Sequence, residues 1–116
     1  MAEYERACLL RIFLGESDRH GHQPLYEAIV LAARTNHLAG ATVLRGPLGF
    51  GRRSLIHSAK ILRLSEDLPI VIEIIDTHEK IEAFLPEIES MLGDGLVTLE
   101  DVRLFTRRPI VDKGAD

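Results

Sequence analysis

Apolar residues fill nearly every position from Ala7 to Leu14, broken only by Arg11. So continuous a run predicts a strand lying centrally in a sheet rather than one with a single wet face. The polar, turn-rich stretch from Gly15 to Gln23 reads as a loop. From Pro24 the period changes: Leu25, Ala28, Ile29, Ala32 and Ala33 recur at helical spacing. They predict one apolar helix face, with the proline in the first turn and the end between Asn36 and Gly40. Ala41 to Arg45 reads as a short strand, and Leu55 to Leu64 fits a strand or a helical turn equally. The β-branched run within Leu68 to Ile75 is the clearest strand of all. Asp76 or Thr77 caps a second helix, in which Ile81, Phe84, Leu85, Ile88, Met91 and Leu92 keep helical spacing. Pro86 inside it predicts a kink or a broken turn. Gly93, Asp94 and Gly95 stop that helix, a last strand runs from about Leu96 to Phe105, and the tail RRPIVDKGAD lacks apolar periodicity.

The order β, α, β, long basic segment, β, α, β is a split βαβ repeat. It predicts an α+β, ferredoxin-like βαββαβ sandwich, a four-stranded antiparallel sheet with two helices on one face, as a single domain over residues 1–116. A chain of 116 residues buries roughly two-thirds of its unfolded surface, so disulfides are not required. The single cysteine, Cys8, lies in the first apolar run and reads as a buried strand thiol. A lone cysteine fits a reducing compartment. Glu3 and Glu5 give the N-terminus the opposite charge to a signal peptide, and no apolar stretch approaches the ~20 residues of a membrane span. A cytoplasmic protein is expected. With both helices on one face, the sheet's other face needs cover, and self-association would supply it.

Charge changes the picture more than composition does. Between Glu27 and Glu66 there is no acidic residue, while Arg34, Arg45, Arg52, Arg53, Lys60 and Arg63 fall within that window. The window contributes +6 to a chain whose net charge is −4, leaving −10 for the rest. Like charges gathered in one segment call for an anionic partner. At the centre lies RGPLGFGRRS, from Arg45 to Ser54. Its Gly46, Gly49 and Gly51 permit close backbone approach, and neighbouring guanidinium forks suit phosphate. The alternative is a solvated surface connector. With few aromatics and a sequence pI of about 5.7, the chain lacks the basic, aromatic face of a nucleic-acid module, and no nucleic acid is expected as a partner.

These segments resemble the PII family of nitrogen and energy signalling proteins, and more closely an uncharacterised PII-like family of similar length. The resemblance is carried by GATVLRGPLGFGRRS from Gly40 to Ser54 and by IHSAKILRLSEDLPIVIEI from Ile56 to Ile74, flanked by LYEAIVLAAR and KIEAFLP. It implies a homotrimer binding ATP or ADP in clefts between subunits, with a long loop after the second strand docking on targets. Gly49, Phe50, Gly51 and Arg52 match a family element at the second strand's end, Gly93, Asp94 and Gly95 a second, and Arg107 and Arg108 approximate an arginine pair that reaches phosphates. Arg53 stands where the family has a metal-ligating glutamine, and Leu96 where it has a phosphate-contacting lysine. The segment from Leu48 to Asp67 contains no tyrosine to accept a uridylyl group.

The expected ligand is therefore an adenine nucleotide (ADP, AMP or ATP), without a tightly bound metal. The expected site comprises Arg45, Gly46, Gly49, Phe50, Gly51, Arg52, Arg53, His57, Gly93, Asp94, Gly95, Arg107 and Arg108. A protein target, a membrane transporter or an enzyme, would receive the signal. Two other classes compete. His20 and His22, with Glu16 and Asp18 nearby, suggest a trimeric metal-binding stress protein of the copper-tolerance type, against a polar loop with solvated imidazoles. A nucleotide-hydrolysing enzyme is the third reading. However, Ser17 with His20 or His22, and Ser54 with His57, sit too close in sequence to imply a triad. Asp94 between glycines is explained by a turn as well as by a general base. No catalytic residue is expected.

Overall fold

The structure, a computed structural model, describes residues 3–49 and 67–106. In chain order the elements are β1 (Glu3–Gly15), β2 (Arg19–His20), β3 (Gln23–Pro24), α1 (Leu25–Thr35), β4 (Thr42–Arg45), β5 (Pro69–Asp76), α2 (His78–Met91) and β6 (Leu96–Thr106). The main sheet has the order β4-β5-β1-β6, and each neighbouring pair is antiparallel. This is the expected α+β, ferredoxin-like architecture. The Leu55 to Leu64 ambiguity lies outside the described residues.

Strand alternation sorts the sheet into two faces. Leu10 and Ile12 of β1 and Ile70, Ile72 and Ile74 of β5 are at most 1% exposed. They pack with Leu25 and Ile29 of α1 and Ile81, Phe84 and Ile88 of α2. Burying each such side chain contributes roughly 1.5–3 kcal/mol, which makes this layer the fold's main source of stability. The opposite face carries Phe13, Val71, Ile75 and Leu44 around a charged centre. There Arg11 donates to Glu73 Oε2 at 2.9 Å and to Glu100 Oε1 at 3.1 Å.

Local chemistry places the element ends differently from the sequence pattern. β1 begins at Glu3 rather than near Ala7, because its first residues pair only with β6 and need no apolar face of their own. The loop from Gly15 to Gln23 holds the small β2–β3 hairpin, turned at Gly21 with φ +64. Pro24 is the N-cap of α1 rather than its first helical residue, and the carbonyl of Asp18 accepts from Leu25 N–H at 2.8 Å. The end of α1 is closed by His37 in the left-handed region, and Asn36 bridges to Glu87 of α2 at 2.9 Å.

Thr77 is the N-cap of α2, its hydroxyl accepting from Lys80 N–H at 3.2 Å. Asp76 points inward instead. It is wholly buried and accepts from Ala39 N–H and Thr77 N–H, each at 2.7 Å, with Lys80 Nζ at 3.7 Å. A buried carboxylate so furnished ties the segment after α1 to the start of α2. The broken turn expected at Pro86 does not occur: α2 runs through it from His78 to Met91. Buried Phe84 and Ile88 hold the helix to the sheet on either side of the proline.

Candidate functional site

The turn after β1 organises one end of the sheet. Gly15 N–H donates to Asp18 Oδ2 at 3.0 Å, and Ser17 N–H to Asp67 Oδ1 at 3.0 Å. Glu16 N–H reaches the carbonyl of Leu68 at 2.8 Å. The start of β5 is thus stitched to a turn fifty residues earlier, through backbone donors that would otherwise need water. On the other side Arg45, the last residue of β4, donates to Glu16 Oε2 at 2.8 Å. Gly46 N–H then bonds to the carbonyl of Pro69 at 2.8 Å. Both stems of the basic segment meet at this turn.

A cleft of about 750 Å³ opens there. Its walls bring together Gly49, the Gly93–Gly95 turn after α2, and Asp18, Arg19 and Asp67 of the stitched turns. Two glycines are demanded by geometry. A Cβ on Gly95 would stand 2.6 Å from the backbone oxygen of Phe13, which cannot yield, and one on Gly49, at φ +157, would stand 3.1 Å from the Pro69 ring. Glycine turns of this kind can offer backbone N–H groups to an anion.

Of the residues singled out from sequence, Gly49, Gly93, Asp94 and Gly95 converge on this cleft. Arg45 faces Glu16 instead, and Gly46 is packed under Pro69, where a Cβ would come within 2.9 Å of the ring. Phe50, Gly51, Arg52, Arg53, His57, Arg107 and Arg108 lie outside the described residues. Sequence reasoning placed Asp18 only in the metal reading of the His20/His22 loop and did not single out Arg19 or Asp67. The pattern Gly-Glu-Ser-Asp directly after a strand marks the tight turn that delivers Asp18.

His20 and His22 sit on the exposed hairpin, with Arg19 Nη2 donating to the carbonyl of His22 at 2.7 Å. Among the described residues no group of three or more His, Cys, Asp or Glu is arranged to hold a metal ion. Cys8 is 3% exposed, and burial pushes its thiol above the ordinary range, the signature of a structural rather than a reactive cysteine. Among the described residues no helix is long and apolar enough to cross a membrane.

Comparison with known proteins extends these observations. The model of the DUF190 family, described as Uncharacterized ACR, COG1993, matches residues 7–104. A UPF0166 protein of Aquifex aeolicus is 43% identical over 97 residues, covering 84% of this chain and 91% of the relative. One of Methanocaldococcus jannaschii is 33% identical over 101 residues, covering 86% and 93%. Among solved structures, CPII from Thiomonas intermedia K12, a nitrogen regulatory PII-like protein bound to ADP, AMP and bicarbonate, aligns with a TM-score of 0.57. Its identity is 19%, over 88% of this chain and 91% of that one. At that identity the likeness establishes the fold, which is PII-like.

Proposed function

Because the chain belongs to the DUF190 family and has a PII-like fold, we propose that it is a regulatory protein that binds an adenine nucleotide in clefts between copies of a homotrimer. ADP, AMP and ATP are the candidate ligands. Occupancy is passed through the segment from Leu48 to Asp67 to a protein target, a membrane transporter or an enzyme, in the cytoplasm and without turnover. One observation carries the reading: Gly49 and Gly93–Gly95, more than forty residues apart, line a single cleft. Backbone N–H groups of Gly49–Gly51 and Gly93–Gly95 frame the phosphates, and Arg52, Arg53, Arg107 and Arg108 neutralise them. The presence of ADP and AMP in the solved PII-like neighbour supports the ligand class.

Calorimetry with AMP, ADP and ATP tests this reading. Replacing Arg52 and Arg53 by alanine weakens binding by about 1.5–3 kcal/mol for each charge-assisted hydrogen bond to phosphate that is removed. An unchanged affinity removes those arginines from the site. Wild-type protein that binds no adenine nucleotide overturns the function, and steady product release moves it to the hydrolase class.

A further inference from the structure

The sheet has two edges, and they are finished differently. β4 is an edge strand of only 4 residues, too short to offer much to another chain. β6 is an edge strand of 11 residues: β1 lies on one side of it, and among the described residues no strand pairs with the other. Its outer N–H and C=O groups face water. The strand contains no proline or lysine, and its register with β1 is unbroken from Leu96 to Thr106, so no bulge turns the edge away. On the face shared with Leu10 and Ile12, its Leu99 and Phe105 remain 49% and 61% exposed. Between them stand two charges. Arg103 is exposed, directly opposite Arg6 of β1, and joins no ion pair among the described residues; its guanidinium lies over the Tyr4 ring, 4.5 Å from the centroid. The Asp101 side chain is 75% exposed, with His78 Nε2 at 3.3 Å.

An open edge of this kind is a template for another strand, and β6 is complementary to itself. Two copies joined antiparallel in one sheet are related by a two-fold axis normal to it, which opposes each residue only to residues of its own face. The pairing is then centred on a single residue. Centring on Glu100 or Asp101 sets that carboxylate against its own copy, and centring on Arg103 sets two guanidinium groups together, each a destabilising like-charge pair. Centres nearer either end pair less of the strand and leave Arg103 or Asp101 outside the ladder. Centring on Val102 does the reverse: Asp101 of each copy faces Arg103 of the other, and Leu99 faces Phe105, from Thr98 to Thr106. We infer that β6 pairs antiparallel with β6 of a second copy of this chain, in the register that sets Val102 against itself. The incoming Asp101 also offsets the Arg6–Arg103 repulsion that disfavours this end of the β1–β6 pair. A single strand edge is a contact at the low end of specific interfaces, so the pair is reversible. It uses neither the cleft nor the sheet's open face, and within a trimer it would join one trimer to another.

Cross-linking tests the pairing. In a chain carrying Leu99→Cys and Phe105→Cys the two thiols stand about 20 Å apart along one strand, beyond the reach of a short bismaleimide, yet each faces the other's position in the second copy. Covalent dimers are expected on a denaturing gel and nothing larger, because a two-fold contact closes on itself. Either substitution alone gives none, and the native Cys8 is buried. Adding Arg103→Asp to the double-cysteine chain sets like charges opposite each other and lowers the dimer yield about tenfold at a fixed dilute concentration. The denaturation midpoint holds, since the same change removes the Arg6–Arg103 repulsion. Adding Asp101→Arg as well restores the yield. Absence of dimers overturns the pairing, and a ladder of trimers and higher species overturns its two-fold form in favour of a head-to-tail contact. Dimers that form equally well with Arg103→Asp alone overturn the register.

Discussion

The two faces of this sheet are built from alternate residues of the same strands, yet they are finished in different ways. On the helix side Leu10, Ile12, Ile72 and Ile74 vanish into contacts with α1 and α2. On the other side, one residue along, Arg11 and Glu73 form an ion pair about one-third exposed to water, and Ile75 and Leu44 remain 37% and 47% exposed. The first face is satisfied by the chain's own helices. The second holds apolar surface with nothing of its own to cover it among the described residues. The difference teaches that the fold rests on one set of residues while the proposed assembly would draw on another, so each can be broken without the other.

The sharpest break is in the covered face. Ile72→Ala removes a fully buried side chain and should cost about 2–5 kcal/mol, a large part of the roughly 5–15 kcal/mol that holds a domain of this kind together. Urea denaturation measures it, and a loss below about 1 kcal/mol would show that this layer is not the core. Next comes the open face. Ile75→Asp puts a charge where a second copy should pack. Light scattering is expected to drop from about three times the 13.0 kDa chain mass to that of one chain, with the denaturation midpoint of the monomer little changed. A variant that still scatters as a trimer would move the interface elsewhere.

Smaller effects sharpen the covered side. Thr77→Ala deletes the cap of α2 and should lower stability by about 1 kcal/mol, read from the same denaturation curves. The smallest is a pH effect at Cys8. Burial raises its thiol pKa in the folded chain, so above the ordinary thiol range the unfolded chain releases a proton that the folded chain keeps. The folded state then binds more protons, and stability falls as pH rises through that range. Comparing denaturation midpoints on the two sides of the ordinary thiol range should show a decline that Cys8→Ala abolishes.

Much of this architecture is legible along the chain. The apolar run at Ala7 to Leu14, the helical spacing of Leu25 to Ala33 and the β-branched strand before Asp76 are local patterns. A local pattern determines element type, because period and propensity are properties of neighbouring residues. The order of those elements in turn leaves few ways to pair four strands, and the glycines at Gly49 and Gly93–Gly95 announce places of unusual backbone. The tertiary structure alone decided the rest. Nothing near Asp76 in sequence says that its carboxylate turns inward to Ala39, that Arg45 closes on Glu16, or that Asp67 packs onto the turn at Gly15. Nor does the polar start of β1 announce a strand, since it is held only by β6. Each of these depends on partners roughly thirty to a hundred residues away, and the energy of such a contact exists only once the sheet has brought both sides together.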